Sequence, residues 1–92
     1  MFLHVIDAKY DEDYRIRIKF NNGAEGIVDL EKELYGEIFT PLKDIKLFQK
    51  FTLTGRTIEW SNGADFAPEY LFEIAELTVE PAADEIKELV FA

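Results

Sequence analysis

The sequence predicts an α+β fold: a small single domain, with an antiparallel sheet of about five strands and short helices packed on one face. Three observations carry that expectation. Residues 14–20 (YRIRIKF) alternate strictly between apolar and basic side chains, the period of a half-buried strand. Asn21-Asn22-Gly23, Gly55-Arg56 and Ser61-Asn62-Gly63 are turn signals between short runs rich in β-branched and aromatic residues. Pro41, Pro68 and Pro81 stand where short helices would open, since proline suits the first helical position. With 48% hydrophobic and 14% aromatic residues, the 92-residue chain can build one small core and is no disordered segment.

Residues 2–10 (FLHVIDAKY) read as a first strand with imperfect alternation, and Asp11-Glu12-Asp13 as a polar turn. In the next strand Tyr14, Ile16, Ile18 and Phe20 face the core, and Arg15, Arg17 and Lys19 face water. The turn that follows admits two registers. A two-residue Asn22-Gly23 loop would set Asp29 against Ile16 and mix the faces. A three-residue loop with Gly23 left-handed pairs Ile16 with Val28 and Tyr14 with Leu30 in the core, and Lys19 with Glu25 and Arg15 with Asp29 in water. The second register is expected.

Asp29 or Leu30 then begins a short helix that Gly36 stops, and residues 40–48 form one or two short turns from Thr40-Pro41 and Asp44-Ile45. Residues 51–60 suit a type II′ hairpin about Gly55-Arg56, with Ile58 and Trp60 on its buried face. Asp65 or Ala67 caps a helix with Pro68 near its start, and Leu71, Ile74 and Ala75 make its apolar stripe. Glu69, Glu73, Glu76 and Glu80 recur at helical spacing, which puts them along one helix face. Pro81 opens a last helix with Ile86, Leu89 and Val90 on one side. The expected core is Ile16, Ile18, Phe20, Val28, Phe48, Phe51, Leu53, Ile58, Trp60, Leu71 and Ile74.

Cysteine is absent, which excludes disulfides, thiol catalysis and cysteine-based zinc sites. No apolar run approaches the roughly 20 residues of a membrane span, and no signal peptide opens the chain, so a cytoplasmic location is expected. Nineteen acids face ten bases for a net charge of −9, and residues 65–92 hold eight of the acids with Lys87 as their only base. That balance repels phosphate backbones and anionic headgroups; it argues against nucleic acid or membrane as a direct partner and for a protein with a basic surface. The Arg15, Arg17, Lys19 stripe, with Tyr10 and Trp60 as stacking rings, is the one feature resembling a single-strand binding surface. The preferred register places Asp29 and Glu25 against two of those bases, so the stripe reads as a solvated sheet face.

His4 is the only histidine and Ser61 the only serine, and with Asp65 they make a nominal Ser-His-Asp set. A triad is a matter of geometry, and Ser61 sits in a turn with no strand–turn–helix elbow around it. Asp11 and Asp13 lack the Gly and Glu of a calcium loop, and no phosphate loop, dinucleotide fingerprint or zinc motif occurs. No catalytic, cofactor or metal site is expected, nor an enzyme. Trp60, Asn62, Gly63 and Asp65 form a cluster with two readings. It is either a recognition edge anchored by Trp60, or a core indole, a turn and a helix cap; the second explains each residue type by its local job.

The run from Tyr14 to Phe72 resembles the DUF2442 family, bacterial domains of unknown function. The resemblance rests on the strand ending in Phe20, the turn ending in Gly23, Gly26-Ile27-Val28-Asp29-Leu30, and Phe39, Leu42 and Phe48. It continues through Trp60-Ser61-Asn62-Gly63-Ala64-Asp65 and Pro68-Glu69-Tyr70-Leu71-Phe72. Ser61 stands where the family typically carries Pro, and Phe72 where it carries Tyr. The resemblance implies a small α+β fold with an antiparallel sheet and no established activity. Within the single domain of residues 1–92 the family-like core is about 10–76, and the charge and spacing beyond it read as an acidic helical tail at about 77–92. It also implies partnership in small two-protein operons, some resembling toxin–antitoxin pairs.

The resulting expectation is a non-catalytic interaction module of a bacterial two-protein pair, antitoxin-like in its acidity, whose partner is the product of an adjacent gene. Its candidate surface is Trp60, Asn62 and Asp65 together with Ile86, Leu89 and Val90, which would enter a groove on the partner, close the domain's own core or pack in a homodimer. The alternative is a small ligand- or metal-binding sensor or an enzyme accessory domain.

Overall fold

A computed structural model describes residues 2–82, so the expected terminal helix bearing Ile86, Leu89 and Val90 lies outside the described residues. Strand β1 (Val5–Tyr10) pairs antiparallel with β2 (Arg15–Phe20), which pairs antiparallel with β3 (Glu25–Asp29). The imperfect alternation of β1 has a cause: the register shifts between Val5 and Asp7, and Ile6 is turned into solvent. In β2 the alternation is complete, with Ile16, Ile18 and Phe20 buried and Arg15, Arg17 and Lys19 exposed. Ile16 opposes Val28, Arg15 opposes Asp29 and Lys19 opposes Glu25, the register of the three-residue loop.

That loop recurs. Gly23 lies at φ +90°; its N–H donates to the Phe20 carbonyl at 3.1 Å, while Ala24 N–H donates to Asn22 Oδ1 at 3.0 Å. Forty residues on, Trp60-Ser61-Asn62-Gly63-Ala64 repeats the construction. Gly63 is at φ +89°, its N–H donates to the Trp60 carbonyl at 2.9 Å, and Ala64 N–H donates to Asn62 Oδ1 at 3.1 Å. Both glycines need the left-handed region, so Ala at either position costs about 1–2 kcal/mol. Only Gly23 is also crowded, since a Cβ there would stand 3.3 Å from Ala82 N, whereas at Gly63 the nearest atom is Ile38 Cδ1 at 4.0 Å. Gly23→Ala should therefore lower the urea midpoint more than Gly63→Ala; equal losses would contradict this account.

Between the turns the chain runs through short helical pieces. The helix expected to end at Gly36 is a single 3-10 turn, Glu31–Glu33, entered through Asp29 Oδ1 accepting from Glu31 N–H at 3.1 Å. It stops early because Leu34 leaves helical backbone (φ −90°, ψ 65°) with its side chain buried in the core. A second 3-10 turn, Thr40–Lys43, precedes α1 (Ile45–Phe48), where Asp44 caps by accepting from Lys46 N–H at 3.0 Å. Strands β4 (Thr52–Leu53) and β5 (Ile58–Glu59) form the expected hairpin, with Gly55 at φ +92°, but as a separate two-stranded sheet. Leu53 is not core. It opposes buried Ile58 yet is 43% exposed. Phe51 and Ile74 are partly buried against the core.

Helix α2 (Pro68–Ile74) is capped by Ala67, not Asp65. Pro68 holds the first helical position and forces its predecessor to extended backbone (φ −60°, ψ 138°), which fixes the start two residues beyond Asp65. The glutamate row is also corrected. The helix ends at Ile74, and Glu76 opens β6 (Glu76–Val79), antiparallel to β3, giving a four-stranded sheet of order β1-β2-β3-β6. Gly26 lets β6 come close: a Cβ there would lie 2.6 Å from the Glu76 carbonyl oxygen.

The core fills the space between the apolar face of β2 and β3 and the segments that follow. Its aromatic part joins Phe48, Trp60 and Phe66, with Trp60–Phe48 ring centroids 5.6 Å apart and Trp60–Phe66 6.0 Å apart.

Candidate functional site

The cluster singled out at residues 60–65 separates into three jobs. Trp60 is 3% exposed and donates from Nε1 to the Phe48 carbonyl at 2.8 Å, so it is a core residue and no surface anchor. Asn62 spends both ends of its amide internally: Oδ1 on Ala64 N–H, and Nδ2 on the Ile38 carbonyl at 2.8 Å. Asp65 is exposed and forms an isolated antiparallel bridge with Glu59. Ile86, Leu89 and Val90 lie outside the described residues.

Asp65 is the one that reaches a candidate site. It lines an open groove of about 540 Å³ together with Glu33, Tyr35, Gly36, Ile38, Phe39, Phe66, Ala67 and Tyr70. One wall is the loop after the Glu31–Glu33 turn, bent at Gly36 (φ +84°). The other is the start of α2, and the Asn62–Ile38 hydrogen bond ties the turn before α2 to that loop. The floor is aromatic. Phe39 stacks on Phe66 at 4.8 Å and 27°, and Phe66 on Tyr70 at 6.3 Å and 17°. Apolar surface remains in solvent above it, with Tyr35 69% and Ile38 44% exposed. The charged side chains in the lining are Glu33 and Asp65, both acids.

Tyr70 closes one end, its hydroxyl donating to the Glu33 carboxylate. That hydrogen bond, followed by partial desolvation and the negative charge of Glu33, pushes the phenol from 10.0 up to about 12. The unfolded side chain loses its proton near 10.0, so any stability from this bond is intact below that pH and is lost as pH rises through about 12. In a titration followed by phenolate absorbance, the Tyr70 step, identified as the one lost in Tyr70→Phe, should fall near 12 and move back towards 10.0 in Glu33→Gln. An unmoved step would remove Glu33 as the cause.

The other candidates lie apart. His4 lines a hollow with Phe2 and Arg56, Ser61 a smaller one with Pro41, Leu42, Leu47, Lys50 and Trp60, and Asp65 the groove. Among the described residues no group of three or more His, Asp or Glu is placed to hold a metal ion, and no helix is long and apolar enough to cross a membrane. The wet sheet face is of mixed sign: Arg15 lies 3.4 Å from Glu12 and 3.6 Å from Asp29, and Lys19 is flanked by Asp7 and Glu25.

Sequence reasoning passed over Tyr35, Ile38, Phe39, Phe66 and Tyr70 as a group. The groove joins two segments some thirty positions apart, and no local pattern links them; the available signal was an aromatic-rich stretch on each side of a Gly-marked bend. A family model described as Protein of unknown function (DUF2442) matches residues 5–76, a span that holds the whole groove. No curated protein and no solved structure matches the chain.

Proposed function

From the premise that this chain belongs to the DUF2442 family, we propose that it is a non-catalytic interaction module that docks a partner protein through a basic surface. The family sets no chemistry, so the reading rests on one observation: an open, aromatic-floored groove whose charged lining residues are both carboxylates. Tyrosines dominate protein interfaces because a rigid ring gives much contact area at little entropic cost, and here Tyr35 stands in solvent. The net charge of −9 extends the same preference to long range, steering a cationic partner inward. In a bacterial two-protein pair, an antitoxin-like component would use such a face to cover a basic toxin surface.

Co-purification with the product of the adjacent gene tests this, using the full chain and a version ending at Glu80. A complex with both is expected. Loss on truncation would transfer docking to the segment with Ile86, Leu89 and Val90, and no complex with either would end the reading.

A further inference from the structure

We infer that the groove seats an arginine side chain carried on an apolar segment of the partner, with its guanidinium stacked on exposed tyrosine and bonded to Glu33 and Asp65. This rests on the interaction-module reading and adds to it the chemistry of the contact.

Three features select arginine. The lining supplies negative charge from Glu33 and Asp65 and no positive charge, so a cation entering it meets attraction alone. The apolar part of the lining is largely aromatic, from Tyr35 and the Phe39–Phe66–Tyr70 stack, and Tyr35 and Tyr70 are exposed, at 69% and 36%. A planar guanidinium can lie flat on a ring face and direct a fixed fork of N–H groups at carboxylates in its plane, a match that the compact, more strongly hydrated ammonium makes less well. Finally, Glu33 is already held by the Tyr70 hydroxyl, which occupies one acceptor site of its carboxylate and leaves the others for a guest. The chain's own end is a poor occupant: residues 83–92 carry Asp84, Glu85 and Glu88 against Lys87, the wrong sign for this lining.

The test is a ¹H–¹⁵N NMR titration of the full chain with an amidated peptide of alternating Leu and Arg, beside a counterpart with citrulline for every Arg. Citrulline keeps the planar shape and removes the charge. Saturable shifts are expected at Tyr35, Ile38 and Tyr70, with the citrulline peptide at least roughly tenfold weaker. The Glu33→Gln, Asp65→Asn double variant, checked for fold by circular dichroism, should weaken the Arg peptide by a similar factor. No saturable shifts, or equal binding of the two peptides, would overturn the inference. Tighter peptide binding by a chain ending at Ala82 would place the tail in the groove and also overturn it. The two readings fail separately. An adjacent-gene complex that survives the double variant removes the arginine seat and keeps the module. A peptide that binds while no adjacent-gene complex forms keeps the seat and removes the pair.

Discussion

Trp60→Ala is expected to be among the most destabilising single substitutions in the domain, lowering its urea midpoint sharply at 25 °C. Truncating a buried large aromatic to Ala costs about 3–5 kcal/mol, and a domain of this size has only about 5–14 kcal/mol in total. The local setting puts the loss at the upper end. Trp60 touches Phe48, Phe51 and Phe66, with ring centroids 5.6, 6.2 and 6.0 Å away, so the cavity would open at the meeting point of four aromatic rings. The Phe48 carbonyl would also lose its 2.8 Å partner in the interior. Trp60→Phe separates the two contributions: it keeps most of the packing and removes the hydrogen bond, and should cost about 1–3 kcal/mol. Urea unfolding followed by circular dichroism measures both. A loss below about 1 kcal/mol for Trp60→Ala would mean that the indole is not a core residue, and the recognition-edge reading would return.

Gly26→Ala should detach β6 from an otherwise intact sheet. The added methyl would stand 2.6 Å from the Glu76 carbonyl oxygen and 3.0 Å from Leu77 Cα, both backbone atoms that no rotamer change can move aside. On its other side Gly26 is fixed by pairing with Ile18. β6 therefore has to yield, at a cost of about 1–3 kcal/mol, more with Val. Amide exchange is the readout: protection should vanish over residues 76–79 and persist in β1 and β2. Retained protection at Leu77 would refute the close approach. The variant would also bare one edge of β3, which invites pairing between molecules, so light scattering should rise with concentration.

The parts of the fold legible in the sequence are those decided within a few residues. Alternation at Tyr14–Phe20 and the geometry of a three-residue Gly loop together settle the β2–β3 register, because the other loop would set Asp29 against a core isoleucine. The capping Asp44 and the hairpin at Gly55-Arg56 are equally local. β6 was not legible in this way. Glu69, Glu73, Glu76 and Glu80 satisfy a helical period, and nothing nearby outweighs it; what makes Glu76–Val79 a strand is the edge of β3, fifty residues earlier. The available hint was on the partner, since a glycine inside a strand often marks a close backbone neighbour, and Gly26 is one. The candidate site fails to show for the same reason. The sequence offers Asp65 either as a helix cap or as part of a recognition edge, and nothing near it points to Tyr35 and Ile38, the other wall of the groove that it lines.

The twin turns have a consequence for the chemical ageing of the protein. Asn-Gly is the dipeptide in which the glycine nitrogen most readily attacks the asparagine side chain, expelling ammonia through a cyclic imide to leave aspartate or isoaspartate. Here both glycine N–H groups are engaged with the Phe20 and Trp60 carbonyls, and both asparagine oxygens hold an alanine N–H. The folded chain thus occupies both the glycine N–H and the asparagine side-chain oxygen at Asn22 and Asn62 alike. Every unfolding excursion releases them, and an isoaspartate formed then adds a backbone atom to a loop closed by the glycine N–H to Phe20 or Trp60 carbonyl bond. Deamidation at these two positions becomes a cumulative clock of time spent unfolded, and one that makes each later refolding harder.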